Sequence, residues 1–153
     1  LKKRPLEKSL SVLVDQEWIG KLAYWEDDKI DRIIEDFWPG PLTLVLTARR
    51  ELPEFLKGPN QTIALRWSSS SVVQEMIKLG ECPLIGTSAN LSGMPSCSSS
   101  AEVVEQFGDQ TPLLVDSGVL PENPPTTLLD CTRTPFSFIR SGSIDQKILE
   151  DYI

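Results

Sequence analysis

An α/β fold is predicted by three observations. Helical and strand patterns alternate along the chain, one strand shows clean period-2 alternation, and Pro or Gly punctuates the joins. At 153 residues the chain fits one domain with enough length to bury a real core. A single domain over residues 1–153 is therefore expected.

The elements follow in order. Ser9 to Val14 reads as a first strand. Ile30, Ile33, Ile34 and Phe37 fall on one face of a helix, which Pro39-Gly40-Pro41 stops. Leu42 to Ala48 is a compact β run, and a connection bearing Pro and Gly follows from Pro53 to Pro59. Gln61 to Trp67 is the clearest strand. Ile63, Leu65 and Trp67 share one face, and Thr62, Ala64 and Arg66 share the other. Ser71 to Gln74 has the form of a capping box, Val72/Met76 and Val73/Ile77 pair at i+4, and Gly80 closes the helix.

Pro83 to Thr87 is expected as a short buried strand. Ser99 to Glu102 opens a further helix, closed by Gly108. Leu113 to Val115, Thr127 to Cys131 and Phe136 to Arg140 are expected as late strands. Pro121 to Pro125 reads as a surface loop, and Ser143 to Gln146 caps a terminal helix. No internal repeat is present.

Composition narrows the function classes. Hydrophobic residues at 40% and charged residues at 24% suit a soluble globular protein, and no apolar run approaches the span of a bilayer. The basic start, Leu1 to Pro5, has no apolar segment behind it, so it does not read as a signal peptide. A formal net charge of −7 argues against a protein that coats nucleic acid generically, while leaving room for a local basic pocket. Cys82, Cys97 and Cys131 are odd in number and never C-x-x-C, which points to reduced thiols of a cytoplasmic protein. The chain has no histidine, so Ser-His-Asp, Cys-His and His-metal chemistry within it are excluded.

Several residues could carry chemistry. Lys2 and Arg4 precede Pro5, which favours an extended chain with both cations on one side; a solvated basic terminus explains them better from this feature alone. Thr87 to Gly93 places small hydroxyl and amide side chains after an apolar strand, which suits a ligand and equally suits a plain turn. Arg66 on an otherwise apolar strand calls for an anionic partner, either a ligand or a structural acid. Arg140 ends a strand before Ser141-Gly142 and also reads as an ordinary exposed arginine. Trp38-Pro39-Gly40-Pro41 reads as packing and turn rather than as a site.

Taken in order, these pieces resemble the YrdC-like family. The pattern runs Lys2-x-Arg4-Pro5, Phe37 to Thr43, Thr62 to Arg66, Pro83 to Gly93, Pro125 to Asp130, and Ile139-Arg140-x-Gly142. The resemblance covers nearly the whole chain, and the Ser96-to-Gly108 segment looks most like the short bacterial form, which has no extra C-terminal domain. It implies a twisted mixed α/β sheet with flanking helices around an open concave site. It also implies an activity: synthesis of threonylcarbamoyl-AMP from L-threonine, bicarbonate and ATP, with Mg²⁺, releasing pyrophosphate. The product would serve N6-threonylcarbamoyladenosine formation, making tRNA or the proteins that transfer threonylcarbamoyl to it further partners.

By the same resemblance, Lys2, Arg4, Ser88 and Asn90 form the core of the site. Arg4, Lys8, Asn90, Ser98 and Arg140 would meet ATP, with Thr62 lining the nucleotide side. Arg66, Ser88 and Thr126 would meet threonine. Of these, Lys2, Arg4, Ser88, Asn90, Thr126 and Arg140 are expected to line one concavity. The lack of histidine suits this chemistry. Threonine's amine captures bicarbonate or CO2 as a carbamate, which then attacks the α-phosphate. The protein need only position ligands and neutralise charge.

Two departures stand out. The family's N-terminal strand, with its T-x-T-x-Y-G-L type motif, does not precede Lys2, so the chain is expected to be N-terminally incomplete and a poor catalyst by itself. Many relatives also carry His-Pro soon after the central arginine, where this chain has Trp67 followed by four serines. Two other functions fit the pattern less closely: a carbamoyl-transfer module, and a non-catalytic RNA-binding or ribosome-associated paralogue.

Overall fold

The computed structural model describes residues 10–153. Lys2, Arg4 and Lys8 lie outside the described residues, as does the first residue of the expected Ser9-to-Val14 strand. The chain divides into two compact units, whose described parts are Thr87–Asn123 and residues 10–86 with Pro124–Ile153.

The larger unit holds every described strand, and these form one seven-stranded mixed sheet. Its strands are β1 (Ser11–Val14), β2 (Ala23–Tyr24), β3 (Leu42–Ala48), β4 (Thr62–Trp67), β5 (Leu84–Gly86), β6 (Thr127–Asp130) and β7 (Ser137–Arg140). The order is β5-β1-β4-β3-β6-β7, with β2 paired to β3 off that path. β1–β4 and β3–β6 are parallel; β1–β5, β3–β4, β6–β7 and β2–β3 are antiparallel.

Alternation decides which face is which. Leu42, Leu44 and Leu46 on β3, Ile63 and Leu65 on β4, and Leu129 on β6 are buried together. They pack with Ile19 and Leu22 of α1 (Gln16–Leu22), Ile30 and Ile33 of α2 (Asp28–Phe37) and Leu149 of α5 (Gln146–Leu149). On the alternate positions, Thr62, Ala64 and Arg66 are only half-buried, so Thr62 and Arg66 share a face as the period-2 pattern requires.

Caps explain most helix boundaries. Asp15 caps α1 by accepting from the Glu17 and Trp18 amides at 3.0 and 3.3 Å. The sequence reading passed over this short helix and the two-residue β2 after it. For α3 (Ser71–Gly80) the cap is Ser70, not Ser71, because the Ser70 hydroxyl is the one within reach of the Val73 amide. The left-handed residue closing α3 is Glu81, at φ 48°, rather than Gly80. For α5, Asp145 is the cap, accepting from the Lys147 amide at 3.0 Å, and Ser143 instead donates to the Pro124 carbonyl at 2.9 Å.

Two strand expectations are corrected. β5 is not a buried strand: Ile85 is 46% exposed, and among the described residues β5 pairs only with β1, at the edge of the sheet. Leu113 to Val115 forms no strand; the described part of its unit contains no ladder to join, and Leu113 is 76% exposed. Three apolar residues in a row do not specify a strand unaided. That unit's helix, α4 (Ser100–Phe107), starts and stops as expected. The Ser99 hydroxyl accepts from the Glu102 amide at 3.3 Å, and Gly108, at φ 51°, ends it.

One hydroxyl ties β6 directly to the C-terminal segment. Thr127 is fully buried; its Oγ1 donates to the Ile144 carbonyl at 2.8 Å and accepts from the Ile144 amide at 3.0 Å. Thr127→Val keeps the shape and strands both backbone groups. It is expected to lower stability by at least about 1–3 kcal/mol, the cost of a buried polar group left unpaired. Urea denaturation checks this, with Thr127→Ser expected to stay close to wild type; an unchanged midpoint for the valine variant contradicts it.

Candidate functional site

In the larger unit the polar residues gather around a turn that sequence reading treated as packing. Trp38 ends α2 and is buried, its indole donating to the Leu42 carbonyl at 2.8 Å. The next peptide bond, Trp38–Pro39, is cis. Gly40 then serves two residues of β4: its amide donates to the Trp67 carbonyl at 2.8 Å, and its carbonyl accepts from Arg66 Nε at 3.1 Å. A Cβ on Gly40 would collide with the Phe37 carbonyl oxygen, so only glycine fits this turn.

Arg66 is half-buried, and that burial pushes its guanidinium down from its ordinary value. An arginine stays protonated at physiological pH regardless. Its protein acceptor is a neutral carbonyl. Among the described residues the single ion pair is Lys57–Glu54 at 2.9 Å, so no described acid neutralises Arg66. Keeping a partly desolvated cation without a counter-ion is costly, and among the described residues only the Gly40 carbonyl accepts from Arg66.

The other side of the same turn holds Thr126. The Pro41 carbonyl accepts from the Thr127 amide at 3.1 Å, and Thr43 Oγ1 meets Thr126 Oγ1 at 2.9 Å. Arg140 latches onto Thr126 three times. Nε and Nη2 donate to its carbonyl at 3.1 and 2.9 Å, and Nη2 donates to its hydroxyl at 2.9 Å. Gly142 lets the following chain lie flat here, since a Cβ would run into the Pro125 carbonyl and the Thr126–Thr127 peptide.

Thr62 stands apart from this group. β3 pairs with Thr127 at Leu42 and with Thr62 at Thr47, five positions along, or roughly 17 Å at strand rise. Its hydroxyl donates to the Pro59 carbonyl at 2.9 Å.

The Thr87–Asn123 unit organises its own candidates. Ser88 Oγ donates to Asn90 Oδ1 at 2.6 Å, while Asn90 Nδ2 donates to the Leu91 and Met94 carbonyls at 2.9 and 2.6 Å. Asn90 is buried and shapes the loop as a turn former does. Ser98 lies beside the start of α4, where its amide donates to Glu102 Oε2 at 2.6 Å. Its carbonyl accepts from the Leu120 amide at 2.8 Å.

The three cysteines are free thiols: Cys82 exposed, Cys97 half-buried, Cys131 buried. Burial pushes Cys97 upward, with Glu102 adding to it. Burial pushes Cys131 strongly upward, with Asp130 and Asp27 adding to it. Neither thiol is poised as a nucleophile. Among the described residues no group of His, Cys, Asp or Glu could hold a metal, and no helix is long and apolar enough to cross a membrane.

Sequence reading missed Gly40 and Thr43 as site-forming residues. Their signal was the run Pro39-Gly40-Pro41-Leu42-Thr43, in which a glycine locked between prolines ends in a hydroxyl at a strand's start.

The larger unit is thus an α/β domain built on a mixed sheet, whose half-buried face carries an arginine that no described acid neutralises, near a threonine–arginine latch. Residues 1–142 match the Sua5/YciO/YrdC family, described as "Telomere recombination", and the chain belongs to that family. A curated threonylcarbamoyl-AMP synthase of Pyrococcus abyssi is 31% identical over 153 residues, covering 99% of this chain and 45% of that protein. One from Klebsiella pneumoniae is 38% identical over 118 residues, covering 74% of this chain and 62% of that protein. The chain therefore spans about half the length of the curated relatives it matches.

The structure of P. abyssi Sua5 complexed with L-threonine superposes with a TM-score of 0.91 at 31% identity, over 99% of this chain and 45% of that one. Escherichia coli YciO gives 0.84 at 22% identity, over 99% of this chain and 73% of its own, and shows the fold alone. The mixed sheet with flanking helices expected from sequence is the fold of these relatives.

Gly142→Ala tests how the latch is held. It is expected to cost about 1–3 kcal/mol, as overpacking does. It should also shift the Thr126 and Arg140 amide resonances far more than those of β1. Unperturbed resonances at Thr126 would contradict the close approach.

Proposed function

We propose that this chain carries the substrate-binding domain of a threonylcarbamoyl-AMP synthase, joining L-threonine, bicarbonate and ATP with release of pyrophosphate. The observation that carries the reading is Arg66. Its Nε is held by the Gly40 carbonyl, its outer nitrogens have no acidic protein partner among the described residues, and it is half-buried. A carboxylate is the counter-ion such a site lacks, and a bidentate arginine–carboxylate pair would orient threonine as well as bind it. The name of the curated relatives and the threonine complex of P. abyssi Sua5 support the same reading.

Roles then follow residue by residue. Arg66, Ser88 and Thr126 would hold threonine. Asn90, Ser98, Arg140 and Thr62 would serve ATP, together with Arg4 and Lys8, and Lys2 and Arg4 would neutralise charge developing during adenylylation. No general base is needed from the protein if threonine's neutral amine adds to CO2 and passes its proton to solvent, or condenses with bicarbonate and releases water, to give a carbamate. The carbamate oxygen then displaces pyrophosphate at the α-phosphorus, and binding supplies proximity and charge stabilisation. Mg²⁺ would enter with ATP, held by phosphate oxygens and water, since the described residues offer no resident carboxylate cluster. The adenylate would pass to tRNA modification in the cytoplasm.

The Thr126–Arg140 latch refines this assignment. Because Arg140 donates to both the carbonyl and the hydroxyl of Thr126, a residue assigned to ATP and one assigned to threonine form one unit. Arg140→Ala is therefore expected to weaken both ligands, and Arg66→Ala mainly threonine. Each main loss should match about 1.5–3 kcal/mol, typical of hydrogen bonds to a charged group. Titration calorimetry measures each ligand separately, and ATP-dependent pyrophosphate release that requires both threonine and bicarbonate measures the reaction. Threonine affinity unchanged in Arg66→Ala would remove the carboxylate site. Salt-sensitive RNA retention without pyrophosphate release would favour the RNA-binding paralogue instead.

A further inference from the structure

We infer that Thr43 is a positioning residue that commits the Thr126 hydroxyl to donating its hydrogen to the ligand. The inference rests on the proposed function only for the ligand's identity; the direction of the hydrogen bonds follows from the protein alone.

Three hydroxyl facts decide the direction. Arg140 Nη2 lies 2.9 Å from Thr126 Oγ1, and a guanidinium can only donate, so Thr126 accepts there. Thr43 is buried, at 4% exposure, and its hydroxyl has Thr126 Oγ1 at 2.9 Å as its one partner among the described residues. If Thr126 donated to Thr43, the hydrogen of Thr43 would be buried with no acceptor, the costly arrangement. Thr43 therefore donates. Thr126 Oγ1 then accepts from both Arg140 and Thr43, filling its two lone pairs, and its own hydrogen must point elsewhere. Thr126 is only half-buried, so that hydrogen is available to an acceptor entering from outside.

The consequence is chemical selectivity. A hydroxyl whose lone pairs are both filled cannot accept from a ligand ammonium or hydroxyl. It can only donate, so Thr126 meets an oxygen acceptor, such as a carboxylate or carbamate oxygen of threonine. Thr43 reaches no further than Thr126, so it acts through that residue. The architecture enforces the arrangement: the Gly40 turn fixes where β3 begins, and the Leu42–Thr127 register fixes Thr43 beside Thr126.

Two measurements test the inference. The first is neutron diffraction from a deuterium-exchanged crystal of the full chain without ligand. The Thr43 deuteron should point at Thr126 Oγ1, and the Thr126 deuteron away from Thr43; the reverse orientation would overturn the inference whatever the protein's function. The second is titration of L-threonine into Thr43→Val, Thr43→Ser, Thr126→Val and the double valine variant, with melting temperatures as the control for folding. Thr43→Val should weaken threonine about tenfold, one hydrogen bond's worth. Thr43→Ser should recover most of that loss, and the double variant should be no weaker than Thr126→Val alone. Additive losses, or no rescue by serine, would overturn the positioning role. If wild-type chain fails to bind threonine while the deuterons lie as expected, the functional reading fails and the hydroxyl direction stands.

Discussion

Between α2 and β3 the backbone turns at Trp38 to Pro41, and both sides of the polar cluster in the larger unit depend on that turn. On one side the Gly40 amide and carbonyl bind the last two residues of β4. On the other, the Pro41 carbonyl and the Thr43 hydroxyl bind Thr127 and Thr126. Neither set of bonds survives if the turn moves, because three of the four groups are backbone atoms whose positions follow from chain geometry, and the fourth, the Thr43 hydroxyl, sits on the strand that the turn starts. Two constraints hold the turn itself. The Trp38 indole is buried and bonded to Leu42, and no side chain fits at Gly40. A motif that looks like packing is thereby also the frame for an arginine on β4 and a threonine just ahead of β6, which lie far apart in sequence.

The electrostatic logic follows from that frame. An acidic protein, at net charge −7, keeps a cation on a half-buried sheet face without placing an acid against it among the described residues. Desolvating a charge is costly unless something compensates. Here the compensation within the larger unit is one carbonyl, which holds Arg66 in orientation but does not neutralise it. On the proposed function, the free protein would store part of the cost that an anionic ligand would recover on binding. Arg140 differs. It spends three hydrogen bonds on Thr126 and so braces that residue.

Much of the fold was legible because periodicity reports burial directly. Ile63 and Leu65 against Thr62, Ala64 and Arg66 gave the register of β4, and the spacing of Ile30, Ile33 and Phe37 gave α2. Errors cluster where several residues offer the same chemistry. Four consecutive serines can each cap α3, and only geometry selects Ser70. Asp145 competes with Ser143 for α5 and wins because Ser143 is drawn to the Pro124 carbonyl. Leu113 to Val115 is apolar enough for a strand, yet strand formation requires a partner, which no local pattern encodes. Arg66 and Thr126 were picked out, Arg66 from its apolar strand and Thr126 through family resemblance. Thr43 was not, because its importance arises from a pairing across 83 residues of sequence separation. In the Thr87–Asn123 unit the sequence left turn and ligand roles open for Ser88 and Asn90. The observed bonds of Asn90 to Leu91 and Met94 account for the turn.

The central claim is that the turn holds Arg66 in place before any ligand arrives. Hydrogen exchange of the Arg66 Nε proton in the ligand-free chain, followed by arginine-selective NMR, measures this most directly. The account predicts an Arg66 Nε–H that is resolved and exchanges well over tenfold more slowly than that of the exposed Arg133, because it is bonded to the Gly40 carbonyl on a half-buried face. An Arg66 signal that exchanges as fast as Arg133 would show that the guanidinium is not held, and would contradict the account.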